Sequence, residues 1–124
     1  MEKESIPSKE AIALKKLGFD KPCFCYYDSK KWRWASEIDY TSALMRTYPE
    51  YVLAPLYQQA FDFFREKQEL HSWVEIGVHE YCYEIYSFTA NKRLTSVRTE
   101  FNGTFEEARL ECLRKLIEIV KGRK

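Results

Sequence analysis

Four cysteines and two histidines are the residues of this chain best suited to bond-making or metal chemistry. Zinc takes thiolates and imidazoles at short spacings, most often Cys-x-x-Cys on a turn. Here Cys23-Phe24-Cys25 is Cys-x-Cys in a strand-like run, so both thiols point to one face. His79 and Cys82 fall on opposite faces of a continuous strand. Neither spacing builds a tetrahedral site, and no metal is expected. Thiol catalysis needs a base in contact with the sulfur. Cys82 with His79 or His71 is the one pairing on offer, and nothing in the sequence orients the imidazole. Only four glycines are present, with no phosphate-cradling cluster and no nucleophile elbow. The chain is therefore read as a non-enzyme, without catalytic residues, cofactor or metal.

The sharpest local signal is Lys30-Lys31-Trp32-Arg33-Trp34. Alternating cations and rings can neutralise phosphates and stack bases, which makes these residues the candidate nucleic-acid-binding set. The plainer reading is a hairpin whose indoles pack while Lys and Arg keep the turn solvated and block edge pairing. Acidic Asp28, Glu37 and Asp39 flank the run, and the plainer reading is preferred.

Such residues must be held by elements, and the elements are clearest in the second half. Pro55 to Glu69 has helical spacing, with Leu56, Ala60, Phe63, Phe64 and Lys67 on one stripe. His71 to Val78 and Glu80 to Thr89 alternate, and the latter carries apolar or aromatic groups on both faces, as a central strand does. Asn91-Lys92 marks a tight turn, and Leu94 to Phe101 returns as an edge strand. Asn102-Gly103 is a turn signal, and Thr104 with Glu107 then makes a capping box. The helix it opens presents Phe105, Ala108, Cys112, Leu113, Leu116, Ile117 and Val120 on one face, with Glu111 and Lys115 as an i,i+4 pair. The first half is less regular. Ser8 caps a helix Lys9 to Leu17, Gly18 stops it, and Phe19 folds back on Leu14. Cys23 to Tyr27 and Trp32 to Ala35 form a hairpin across Asp28-Ser29-Lys30-Lys31, with Trp32 and Trp34 on one face. Segment 36–53 is either a functional loop or a short helix, with Asp39 and Thr41 as caps and Pro49 as its limit.

The expected fold is α+β: one domain over residues 1–124, with an antiparallel sheet of three or more strands and two principal helices. Its α-β-β-β-α core spans residues 55–121, preceded by an N-terminal helix and hairpin. The sequence leaves open whether that hairpin joins the main sheet. A chain of 124 residues buries enough apolar surface to need no staple. The net charge of +1 gives no long-range field for nucleic acid or anionic lipid. No run reaches the roughly 18 apolar residues of a membrane helix, and Met1–Glu10 has no leader-like apolar stretch. A cytoplasmic location, no membrane partner and reduced thiols without a structural disulfide follow as expectations. Aromatics at 16% are the compositional outlier and suit a sheet with an interface.

The helix–strand–strand–strand–helix order of Pro55–Lys121 resembles the double-stranded RNA-binding domain in topology. That family opens its last helix with a lysine-rich cluster, where this chain has acidic Thr104-Phe105-Glu106-Glu107-Ala108-Arg109. Its Gly-Pro-x-His loop is matched by Gly77-Val78-His79-Glu80, without the proline. The RNA-binding function is not carried over. The chain also resembles small uncharacterised proteins encoded by phages, prophages and related mobile elements of gut bacteria. The stretches that carry this are Ile6-Pro7 leading into Ala11 to Phe19, Ala54 to Ala60 with Phe64-Arg65-Glu66-Lys67, and Thr104 to Arg109 with Leu116-Ile117. Members often have Trp where this chain has Phe63. That family has no assigned activity, and the resemblance exposes no site; the leading reading of function is a non-enzymatic accessory or interaction protein of mobile-element origin, working through a protein partner or self-association. A nucleic-acid-binding module using Lys30, Lys31, Trp32, Arg33 and Trp34 is the alternative.

Overall fold

Alternation and helical periodicity resolve into an α+β fold in a computed structural model that describes residues 2–35, 40–77, 80–98 and 104–123. Among the described residues there are four α-helices and two three-stranded antiparallel sheets. The chain divides into two compact units, residues 1–60 and 61–124. The N-terminal hairpin does not extend the main sheet; it belongs to a sheet of its own.

In the first unit a short 3-10 turn at Glu2–Glu4 leads into α1 (Ser8–Lys16). Pro7, rather than Ser8, is the cap residue, with extended backbone and its carbonyl taking the first helical bond from Ala11. Ser8 is thus the first helical residue, and its hydroxyl does not cap. The stop is as expected. Gly18 takes φ +100°, Gly18 N–H bonds the Lys15 carbonyl, and Phe19 N–H bonds that of Leu14, the paired closure a left-handed glycine permits. Strands β1 (Cys25–Asp28) and β2 (Lys31–Trp34) pair with Asp28 opposite Lys31. Ser29 and Lys30 between them both have positive φ, at 52° and 70°. That is the twist-matched two-residue turn of a tight hairpin, made without glycine.

Segment 36–53 contains a helix, α2 (Tyr40–Thr47), and a two-residue strand, β3 (Val52–Leu53). β3 pairs with β1, which places β1 in the centre of the order β2-β1-β3. Thr41 is not a cap. It is fully buried, and its hydroxyl accepts the Cys23 N–H at 3.1 Å. Cys23 accordingly precedes β1 rather than lying within it. The expected cap at Asp39 lies outside the described residues.

Helix α3 (Tyr57–Lys67) begins in the first unit and ends in the second. It starts two residues after Pro55, because the chain there is held extended. The Pro55 carbonyl accepts the Ile6 N–H, and Leu56 bridges Ser5. Gln59 Oε1 then reaches back to the Leu56 N–H at 3.0 Å, half of a capping box that the sequence did not announce.

In the second unit β4 (Leu70–Gly77), β5 (Glu80–Ser87) and β6 (Lys92–Arg98) run in the order β4-β5-β6, with β5 central as its two-faced pattern requires. The β5–β6 register shifts between Ile85 and Tyr86, so Leu94 is the extra residue of a bulge. Helix α4 (Phe105–Lys121) lies against β4 and β5. Thr104 caps it through Oγ1, which accepts the Glu107 N–H at 3.1 Å. Its buried face is Ala108, Arg109, Cys112, Leu113, Leu116 and Ile117. Val120 of the expected face is only half-buried, and two positions in the first turns differ more. Phe105 is 40% exposed, and Arg109 is buried with its guanidinium 5.2 Å from the Phe105 ring centre. The ring covers the cation, so the first turn presents a cation–aromatic pair rather than a purely apolar edge. Lys115 pairs with Glu118 at 3.4 Å, one turn beyond, in place of the expected Glu111 pairing. The expected Asn102-Gly103 turn, Val78, His79 and Phe101 lie outside the described residues.

Candidate functional site

Strand alternation sorts the hairpin residues onto two faces. Cys25, Tyr27, Trp32 and Trp34 share one, through the pairs Cys25–Trp34 and Tyr27–Trp32. Tyr26, Asp28, Lys31 and Arg33 share the other. The first face is tied down: Tyr27 Oη donates to the Ile6 carbonyl at 2.7 Å, and Trp32 Nε1 donates to Ser5 Oγ at 3.2 Å. Trp32 and Trp34 meet edge-on, their centres 5.2 Å apart, and Trp34 stays 57% exposed. Lys31 and Arg33 are exposed on the opposite face, Lys30 is exposed in the turn, and Arg33 Nε lies 3.9 Å from Asp28. The five residues Lys30 to Trp34 are adjacent in sequence, but their indoles and their strand cations project to opposite sides.

What stands beside Arg33 instead is a row of tyrosines. Tyr51 stacks on Tyr26 at 5.1 Å and on Tyr48 at 4.9 Å, with interplanar angles of 24° and 26°. Tyr26 is fixed by its place in β1 and Tyr48 by following α2, its N–H bonding the Leu44 carbonyl. Tyr51 is fixed by a turn closed from its own N–H to the Tyr48 carbonyl. Lys15 of α1 clamps that turn, donating to the carbonyls of Pro49 (2.5 Å) and Tyr51 (3.1 Å). Burial raises the Tyr51 phenol above its ordinary pKa, helped by the negative charge of Asp28. The phenol therefore stays protonated and able to donate. Tyr48, at the end of the row, is 44% exposed.

The same stretch of chain borders a cavity of about 410 Å³. Among the described residues, Ala11, Phe19, Met45 and Leu53 form its apolar walls, and Lys15, Asp20 and Arg46 are its charged groups. Gln59, which caps α3, also donates Nε2 to the Pro22 carbonyl at 3.0 Å and so fixes the approach to β1.

Three of the four thiols are buried, and the fourth, Cys82, is half-buried. All four cysteines are free. Burial, then the neighbouring Cys25, push the Cys23 thiol up to about 12. Burial pushes Cys112 up to about 12 against an opposing hydrogen bond with Ser72, and burial also raises Cys25. Thiols so shifted stay protonated at neutral pH and are poor nucleophiles. Cys82 lies opposite Glu75 in the sheet, with Sγ 4.0 Å from Glu75 Oε2, while His71 lies opposite Tyr86. Four strand residues separate these pairs, roughly 13 Å, so His71 does not reach Cys82. His71 packs edge-on against Phe88 at 4.7 Å. His79 lies outside the described residues. Among the described residues no group of three or more His, Cys, Asp or Glu is gathered as metal ligands, and no helix is long and apolar enough to cross a membrane.

The second unit has an aromatic face of its own. Trp73, Tyr86 and Phe88 lie on the side of the sheet away from buried Tyr83 and Ile85, with Trp73 38% and Phe88 53% exposed. Trp73 Nε1 donates to Glu75 at 2.8 Å, and Arg93 lies 3.6 Å from Glu84.

The tyrosine row and the cavity were not foreseen from the sequence. Tyr26, Tyr48 and Tyr51 follow no single periodicity, because a helix end, a loop and a strand bring them together. The high aromatic content was the only signal of such a surface. No family model, no curated protein and no solved structure matches the chain.

Proposed function

We propose that this chain is a non-enzymatic interaction protein, of mobile-element origin, that holds a protein partner through the tyrosine face of its first unit. The observation that carries the reading is the stacked row Tyr26–Tyr51–Tyr48, ending in exposed Tyr48 and bordered by Arg33. Tyrosine and arginine are the residue types that anchor protein interfaces, because each offers a broad apolar surface with a polar tip. Stacking fixes the rings before a partner arrives, so little side-chain entropy remains to be lost on binding. The raised, protonated thiols fit a role without nucleophilic chemistry, and free thiols fit a reducing cytoplasm. The proposed mobile-element origin rests on the resemblance in helix starts and apolar faces quoted from the sequence.

The experiment is affinity capture from the native host with wild type and Tyr48→Ser in parallel. The expected result is a stoichiometric protein recovered with wild type and lost with Tyr48→Ser. Tyr48 is exposed, so the variant folds. Equal recovery with both proteins overturns the assignment to this face. One observation favours a second reading: Lys31 and Arg33 share their face with Tyr26, a combination that suits single-stranded nucleic acid. Gel shift with RNA and DNA at low and moderate salt decides. Salt-sensitive micromolar binding, abolished by Arg33→Glu, would replace the protein-partner reading.

A further inference from the structure

We propose that the cavity of the first unit is a binding site for a monocarboxylate carried on an apolar body of about a dozen non-hydrogen atoms. A volume of about 410 Å³ lies within the range of small-ligand sites. At about 30 Å³ per water-sized group it has room for roughly that many atoms. The walls come from three elements and the turn after α1: Ala11 from α1, Phe19 after its glycine stop, Met45 from α2 and Leu53 from β3. An apolar body placed there leaves water for the half-buried side chains of Met45 and Leu53, backed by Ala11 and Phe19, which are already packed.

The charged groups set the other half of the ligand. Lys15 is held in place by two carbonyls, and both are neutral, so its charge is uncompensated and one ammonium N–H remains to donate. Arg46, in the last turn of α2, offers a planar fork that takes a carboxylate through two parallel bonds. Among the described residues the ion pairs involve neither Lys15, Arg46 nor Asp20. Among the described residues, two cations and one carboxylate line the cavity, a balance of +1. That balance suits a single negative charge. A phosphate monoester, with nearly two, would be repelled by Asp20, and a cationic amphiphile would meet Lys15 and Arg46. The inference shares Lys15 with the turn that holds Tyr51 but does not require the tyrosine face to bind a partner.

The test is isothermal titration of the full chain with decanoate below its micellar range, beside decanol and decylammonium. Saturable one-to-one binding of decanoate is expected, with decanol weaker and decylammonium not binding. Arg46→Ala is expected to weaken decanoate roughly tenfold or more, as loss of a charged hydrogen bond does. Arg46 is exposed, so this variant keeps its fold, and the same unfolding midpoint as wild type verifies it. Met45→Trp, which fills the cavity, is expected to abolish binding. No saturable decanoate binding, equal binding of the three probes, or unchanged affinity in Arg46→Ala would each overturn the proposal.

Discussion

The two sheets among the described residues have the same number of strands and are held by different means. In the second unit the strands are long and paired almost throughout, from Leu70–Ser87 to Gly77–Glu80 and, interrupted by the bulge at Leu94, from Cys82–Arg98 to Ser87–Lys92. One amphipathic helix covers their inner face, and Cys112, Leu113 and Leu116 on it are fully buried. In the first unit β3 has two residues and the hairpin strands four each. Its integrity depends on individual ties: Cys23 N–H to Thr41, Tyr27 to the Ile6 carbonyl, Lys15 to Pro49 and Tyr51, and Gln59 to Leu56 and Pro22. A periodic apolar face spreads its stabilisation over many small contacts, whereas a buried polar tie concentrates it in one group whose loss is felt at once. The tied unit carries both the cavity of about 410 Å³ and the tyrosine row. Irregular backbone brings unlike residues together, which regular strands cannot do.

The contrast makes graded predictions. The largest effect belongs to the packed unit: Leu116→Ala should destabilise by about 2–5 kcal/mol, read from the urea midpoint by circular dichroism. Thr41→Val, which keeps shape but removes the acceptor for a buried N–H, should cost about 1–3 kcal/mol in the same assay. If Thr41→Val were silent, the claim that polar ties hold the first unit would fail. The smallest effect is kinetic. Native thiol labelling should be fastest at half-exposed Cys82, then reach Cys23 and Cys25 through local opening, and reach Cys112 last. Four thiols should react after denaturation without reductant. Alkali sharpens the same distinction. A thiol that ionises at 9.0 when unfolded and at about 12 when folded leaves the unfolded state with fewer bound protons in between. Stability is therefore intact below pH 9 and falls as pH rises toward 12, and Cys112→Ala should flatten that fall.

How much could be read beforehand follows the same division. The order α-β-β-β-α, the central position of β5, the Gly18 stop and the Thr104 cap were all legible, because each is written in a local pattern or a period. Arg109 was not, since a buried cation under a ring breaks the apolar stripe that periodicity detects. Nor was the role of Thr41. A threonine next to a helix start reads as a cap, and only a tertiary fold that brings Cys23 to it makes it an acceptor for another segment. Gln59 was missed for a related reason: its partner is a leucine N–H, and no serine or threonine flags the motif. The site residues were less legible still. Lys30 to Trp34 looked like one surface because they are consecutive, but alternation divides them, and Tyr26, Tyr48 and Tyr51 come together from positions up to 25 residues apart.

The crossed indoles of the hairpin have an optical consequence. Trp32 and Trp34, 5.2 Å apart and inclined at 70°, are chromophores close enough for their excited states to couple, and their skewed arrangement makes the coupling chiral. Trp73, the remaining indole, lies in the other unit and has no such neighbour among the described aromatic pairs. The chain thus carries a native spectroscopic label on one unit that the other lacks. The paired signal reports the hairpin and the ties that hold its indole face to Ser5 and Ile6, and it vanishes with the hairpin register.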